Sequence, residues 1–309
     1  MKWRKKTLLL KAEAGYGTDP VPTGAADAVK AFDVEINPIE HEEIEREPLR
    51  GYYGAAESVI AGEHVTFSFS VELAAAGSAG GIPAWGVASR ICAFAETNNI
   101  GVDTQYDLVS SGEESGGIYL NIDGTRHAIL GCRGKCSLDY TVNQRPMKKI
   151  EGVGLLVAPA AAALPTPTLT SWKTPLDVGK ANTPTFTIHG YAALLKSLQI
   201  DLGQEVVYRN RVNGEAVEII DRNMTGTLMI DAPALATKDF FAISRTDPPT
   251  TGALQLIHGN TAGQIIQIDA PKVQVLPPSY EDSDGLAGLS MGLKFLPTSG
   301  DDEIKITVK

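Results

Sequence analysis

Apolar and polar residues alternate along most of this chain, and the alternation comes twice in the same order. Phe32-Asp-Val-Glu-Ile-Asn37 is answered by Leu198-Gln-Ile-Asp-Leu-Gly203, and Val65-Thr-Phe-Ser-Phe-Ser-Val71 by Thr227-Leu-Met-Ile-Asp-Ala232. A period of two turns one face inward and leaves the other wet, which predicts half-buried antiparallel strands. In each half an i, i+4, i+7 spacing follows, in Val87, Ile91 and Phe94 and then in Ala236, Phe240 and Ile243. That spacing predicts one helix per half. Each half closes on a similar phrase, Gly154-Leu-Leu-Val-Ala-Pro159 and Gly292-Leu-Lys-Phe-Leu-Pro297. Four matched segments in one order predict a duplicated β-rich unit, and duplication suits symmetric assembly better than a lone active site. The stretch up to about Val29 has no clear partner in the second half.

Further strands follow from the same period. Val65 to Leu73 alternates throughout, and Ile118, Leu120 and Ile122 precede Asp123-Gly124, a hairpin signal. Leu254/Leu256, Gln264–Asp269 and Ile304/Ile306/Val308 add more in the second half. The fold class is therefore all-β with minor α: two tandem antiparallel β-sandwich or barrel units, each with one flanking helix. From Pro159 to Pro184 prolines recur with no apolar period, as in a semi-rigid connector. The expected organisation is a first unit with an N-terminal arm at 1–158, a Pro/Ala-rich linker at 159–184 and a second unit at 185–309.

Two charged, tyrosine-bearing excursions join predicted strands at equivalent places. One runs from Pro38 to Glu63 and includes Glu45, Arg46, Tyr52 and Tyr53. The other runs from Gln204 to Asn223 and includes Tyr208, Arg209 and Arg211. Each is either a solvated hairpin arm or an arm that reaches a neighbouring subunit, where tyrosine and arginine are enriched. These seven residues are the candidate inter-subunit contacts.

Composition narrows the function. Aromatics make up 6% of the 309 residues, while Gly (31) and Pro (18) are plentiful, which suits many short strands and tight turns. A net charge of −10 gives no basic stripe for gripping nucleic-acid phosphates. The start, Met1-Lys-Trp-Arg-Lys-Lys-Thr-Leu-Leu-Leu10, has too short an apolar run for a signal peptide, and no stretch is long enough for a membrane span. Cys132 and Cys136 on one strand would stand about 13 Å apart, too far for a disulfide, so reduced thiols are expected. His41-Glu-Glu-Ile-Glu45 lacks the second histidine of a zinc helix, and Cys132-Arg-Gly-Lys-Cys136 with His127 lacks a full ligand set. Glu281-Asp-Ser-Asp-Gly285 reads as an acidic turn rather than a calcium loop. No phosphate loop, nucleophile elbow or triad signature is present, so neither an enzyme nor a cofactor is expected.

The chain also resembles a known family. Lys11-Ala-Glu-Ala-Gly-Tyr-Gly-Thr-Asp-Pro-Val-Pro-Thr23, Asp201-Leu-Gly-Gln-Glu-Val-Val-Tyr-Arg-Asn210, Ala236-Thr-Lys-Asp-Phe-Phe-Ala242, Ile268-Asp-Ala-Pro-Lys-Val-Gln274 and Tyr280-Glu-Asp-Ser-Asp-Gly285 carry the likeness. It is to the major tail tube proteins of long, flexible-tailed bacteriophages, most closely the Mu-like siphophages. The resemblance implies a structural virion protein, made in the host cytoplasm, whose rings stack around a tape-measure protein and later conduct DNA into the host cell. Tail terminator and distal tail or initiator proteins are the further partners it implies. The usual family unit is a β-sandwich with a flanking helix, six to a ring. With two units per chain, three chains would complete a pseudo-sixfold ring; alternatively six chains do so and the second unit decorates the exterior. Sheet edges suit the lateral contact, the long arms suit the axial one, and an acidic wall suits a lumen through which DNA slides unbound. A decorating or carbohydrate-binding β-sandwich is the rival reading, although Trp3, Trp85 and Trp172 are too scattered to suggest an aromatic cluster.

Overall fold

The computed structural model describes residues 2–309. The first half contains β1 (Lys6–Ala12), β2 (Ala28–Val29), β3 (Ala31–Ile44), β4 (Val59–Glu72), α1 (Gly86–Arg90), β5 (Phe94–Asn99), β6 (Asp103–Leu108), β7 (Gly116–Ile122), β8 (Thr125–Thr141) and β9 (Met147–Leu156). The two-residue β10 (Ala160–Ala161) follows. Then come β11 (Thr185–Ile188), β12 (Tyr191–Ala192), β13 (Leu195–Asp201), β14 (Gln204–Arg211), β15 (Gly214–Arg222), β16 (Thr225–Asp231) and α2 (Phe240–Ser244). The chain ends with β17 (Thr251–His258), β18 (Ile266–Val275), β19 (Ser279–Ser283), β20 (Leu286–Phe295) and β21 (Lys305–Val308).

Strand pairing repeats as faithfully as the alternation does. The first half is ordered β3–β4–β9–β8–β7–β1–β2. The second is ordered β13–β16–β20, then β18 with β19, then β17–β11–β12. All pairs are antiparallel. β18 and β19 together occupy the place of the single strand β8, because Pro277 and Pro278 between them supply no amide to a continuous ladder. The N-terminal β1 and β2, unmatched in sequence, have their counterparts in β11 and β12.

The halves share hydrogen bonds. The C-terminal part of β8 pairs with β13, and β21 pairs with both β18 and β6. One continuous sheet of eight strands results, β3–β4–β9–β8–β13–β16–β20–β19. Its inward face carries Phe69, Val71, Ile150, Leu138, Leu198, Ile200, Leu228, Ile230, Met291 and Leu293 in a single apolar core that spans both halves. Burial of each such side chain contributes about 1.5–3 kcal/mol, and this drives the strands together. Lys148 is also fully buried, donating to Ser89 Oγ at 2.5 Å and lying over the rings of Trp85 and Phe94. Cys92, Cys132 and Cys136 are buried free thiols.

Three features depart from the expectations above. The helices are only five residues each: Phe94 opens β5 rather than continuing α1, and Ala236 lies outside α2. Ala93, held at φ 57°, ends the first helical turn, so the i+7 position belongs to the next element. The closing phrases occupy equivalent strands with opposite facing: Gly154 is buried inward beside Ile129 and Cys132, whereas Gly292 lies on the face opposite Met291 and Leu293. The proline-rich segment is fastened to the first half, where β10 pairs with β8, Thr168 N donates to Gly24 O at 2.8 Å and Trp172 Nε1 donates to Ala28 O at 2.8 Å.

Candidate assembly interface

Three surfaces stand out: the ends of the eight-stranded sheet, its outward face and the two arms. At each end one strand has a partner on one side only, β3 on β4 and β19 on β20. Such edges present unpaired backbone N–H and C=O groups in a row, a template for another strand. Within the chain, β13, the counterpart of β3, pairs with the part of β8 that corresponds to β19. The junction between the repeats is therefore built from the same two kinds of strand that are left free at the ends.

The outward face is polar across its whole width. Ser70, Lys149, Ser137, Asp201, Thr225 and Lys294 stand opposite one another on six successive strands. Beside that row run Asp139, Gln199 and Thr227, and Gln199 Nε2 donates to Asp139 Oδ2 at 3.3 Å. Acidic groups on this face include Glu35, Glu72, Asp139, Glu151, Asp201, Asp231 and Glu281, against the lysines 135, 149 and 294, and Glu72 is itself ion-paired with Lys30 at 2.7 Å and Arg145 at 2.5 Å. Two of those lysines are engaged by one carboxylate, Lys149 at 2.5 Å and Lys135 at 3.0 Å from Glu151. The hydrogen bond from Lys149, reinforced by Lys135, holds the Glu151 carboxyl below the usual carboxylate range.

The arms carry the residues singled out from sequence, and the fold treats them differently. In the first, the β3–β4 ladder extends to the pair Ile44–Val59, and the segment between them is a loop exposed to solvent. Leu49 and Tyr53 are fully exposed and Tyr52 nearly so. Glu45 is also exposed, while Arg46 makes a 3.4 Å ion pair with Glu57 at the surface. The second arm, β14 with β15, folds back over the outward faces of β8 and β9. Gly203 makes this turn possible: its φ is 61°, and a Cβ there would come within 2.1 Å of the Asn223 carbonyl oxygen.

Side chains then lock the second arm down. Tyr208 stacks on His64 with ring centroids 4.5 Å apart and donates to Glu215 at 2.7 Å; burial, then that hydrogen bond, pushes its hydroxyl up to about 12. Arg209 pairs with Glu218 at 2.8 Å, while Arg211 stays exposed beside the turn. The structure thus brings Tyr208 onto the first half and leaves Tyr52 and Tyr53 without a seat. The strongest anchors were not singled out from sequence. Val217 is fully buried, its amide donates to the Tyr16 hydroxyl, and its carbonyl accepts from Arg133 at 3.0 Å. Gln204, also buried, accepts from the Cys136 amide and donates to the Cys92 carbonyl. Arg222 at the arm's stem is largely buried and lies 3.0 Å from both Glu303 and Asp301. The only signal for these in the sequence is Gly203, a glycine at the end of a strand.

Among the described residues no group of three or more His, Cys, Asp or Glu side chains could hold a metal ion, and no helix is long and apolar enough to cross a membrane. A sheet with one sealed apolar face, one polar face and two unmatched edges suits a structural protein that joins copies of itself strand to strand. The chain belongs to the phage tail tube protein family, whose profile matches residues 3–308. No curated protein matches it. It is accordingly a structural component of the virion tail that self-assembles into a tube, in a family that is not one of enzymes.

Proposed function

We propose that three chains close each ring of the tube by pairing β19 of one copy with β3 of the next. The observation that carries this is the internal junction, in which β8 and β13, the counterparts of β19 and β3, already pair in one continuous sheet. Repeating that junction at the free ends adds eight strands per chain, and three chains would give a pseudo-sixfold barrel of 3 × 8 = 24 strands. A ring of six chains with the second unit as an exterior decoration would require that unit to leave the sheet it shares with the first.

In such a barrel the polar face lines the bore and the apolar face points to the outer layer. Its hydroxyl-rich, net acidic lining suits passage of DNA without adhesion, since like charges repel within the screening length of about 8 Å at physiological salt. The tube would enclose a tape-measure protein, grow from a distal initiator complex, be capped by a terminator and deliver the genome, in a phage of the Mu-like siphovirus kind. Of the seven arm residues named from sequence, the exposed Glu45, Arg46, Tyr52, Tyr53 and Arg211 serve as inter-copy contacts in this reading, while Tyr208 and Arg209 hold the second arm within its own chain. Synthesis would take place in the host cytoplasm.

Symmetry averaging of tube segments by electron microscopy tests the proposal, with three chains per ring expected and six overturning it. A second test is Asp282→Pro. The two-residue turn Asp284-Gly285 makes Ser283–Leu286 a hydrogen-bonded pair, so the amide of Asp282 points away from β20. Proline there should prevent ring closure while the chain still melts cooperatively, and tubes formed by this variant would contradict pairing through β19.

A further inference from the structure

The internal junction fixes more than which strands meet between copies, because its register transfers residue by residue. The first two strands of each repeat share the same one-residue bulge: Ala31–Val71 gives way to Glu35–Ser68 in the first, and Leu195–Ile230 to Gln199–Thr227 in the second. Glu35 therefore stands where Gln199 stands. Across the sheet, Val71 leads through Lys148 to Leu138, and Ile230 leads through Leu289 to Tyr280. Tyr280 is thus the counterpart of Leu138, and Glu281 that of Asp139. Within the chain Leu138 pairs with Ile200 and Asp139 with Gln199. At the seam between copies the same register sets Tyr280 against Ile36 and Glu281 against Glu35.

Two independent observations agree on how those side chains lie. Val142 N donates to Lys196 O at 2.9 Å and Leu202 N to Cys136 O at 3.1 Å, which makes Asp139 and Gln199 a non-hydrogen-bonded pair. Side chains stand closest in that class, with Cα atoms about 4.5 Å apart. The two-residue turn Asp284-Gly285 puts Glu281 in the same class on the free side of β19. Inside the chain the pair is complementary, Gln199 donating to Asp139; at the seam both members are glutamates. Both are exposed, and neither is ion-paired among the described residues. Lys149 lies within reach of the Glu35 charge, but Glu151 holds it at 2.5 Å. The neighbouring pairs in this register, Asp33 with Ser283 and Asn37 with Ser279, bring no cation.

We infer that each seam carries an electrostatic brake, in which Glu35 of one copy faces Glu281 of the next across the wall of the bore. This rests on the ring reading above and names what restrains closure there. Strand pairing favours closure, as does burial of Tyr280, which is 63% exposed where its counterpart Leu138 is buried. Like charges directly opposite one another oppose it. The internal junction, formed as the chain folds, has glutamine in place of one acid.

Charge variants test this in reactions seeded by the initiator complex, read as the chain concentration at which tubes pellet. Glu35→Gln and Glu281→Gln should each lower that concentration roughly two- to fivefold at low salt. Each should leave the thermal melt of the monomer unchanged and lose most of its effect in about 1 M salt. Combining them should add little, because a single pair is relieved only once. Unchanged concentrations, or two effects that multiply, would overturn the brake. Copper-catalysed air oxidation of tubes carrying paired cysteines reads the register itself. Glu35→Cys with Glu281→Cys should link neighbouring chains, and Glu35→Cys with Ser279→Cys should not. Links through Ser279 alone would shift the register by two residues and overturn the brake while leaving the ring reading intact. Tubes that link through neither pair would overturn the pairing of β19 with β3 as well.

Discussion

The two arms differ less in sequence than in what lies beneath them. Both are polar, tyrosine-bearing connections between the first two strands of a repeat, yet the second is part of the folded core and the first is not. Val217 is fully buried in the second arm, whereas Leu49 and Tyr53 of the first are as exposed as in an extended chain. The reason is the surface each one meets: the second arm folds onto the outward face of β8 and β9, whereas the tip of the first, among the described residues, is exposed to solvent. The same hairpin is thus a stability element in one place and a surface awaiting assembly in the other.

The sharpest way to break this comparison is at the stem of the second arm. Arg222→Ala removes the partner of Glu303, which is itself buried, and should destabilise the monomer by about 3–5 kcal/mol in urea unfolding. A loss below about 1 kcal/mol would mean the stem is not held by this pair. Val217→Ala should cost about 2 kcal/mol through lost burial and the space left behind. Tyr208→Ala, which gives up the stacking on His64, should cost about 1 kcal/mol by the same measurement. At the other extreme, Leu49→Ser with Tyr53→Ser should change monomer stability by no more than about 0.5 kcal/mol, the residues being exposed, and should nonetheless remove tubes from electron micrographs. If the last pair destabilised the monomer as strongly as Val217→Ala, the contrast between the arms would be lost.

Much of the architecture was legible from alternation alone. Val65 to Val71 and Leu198 to Leu202 face the core with the period the sequence displays, and the Asp123-Gly124 turn joins β7 to β8. The helices were overread, because a spacing of i, i+4, i+7 cannot distinguish a five-residue turn from a longer helix when the next apolar residue, Phe94, belongs to a strand. The matched closing phrases were read by composition, and composition does not record which way a glycine faces: Gly154 is packed inward and Gly292 lies on the outward face. β1 and β2 gave no sign of their counterparts, since β11 and β12 share with them a place in the sheet and little else.

The sequence by itself determined the β-rich class, the duplication and the positions of the two arms, all of which follow from local periodicity and from turn residues with fixed backbone demands. Only the tertiary structure decided that the repeats share one sheet, that β3 and β19 are its free ends, and that Gly203 folds one arm down while the other stands clear. Those outcomes depend on which distant strands exchange backbone hydrogen bonds. Every strand carries the same backbone groups, so the choice among partners is made by packing the whole core at once.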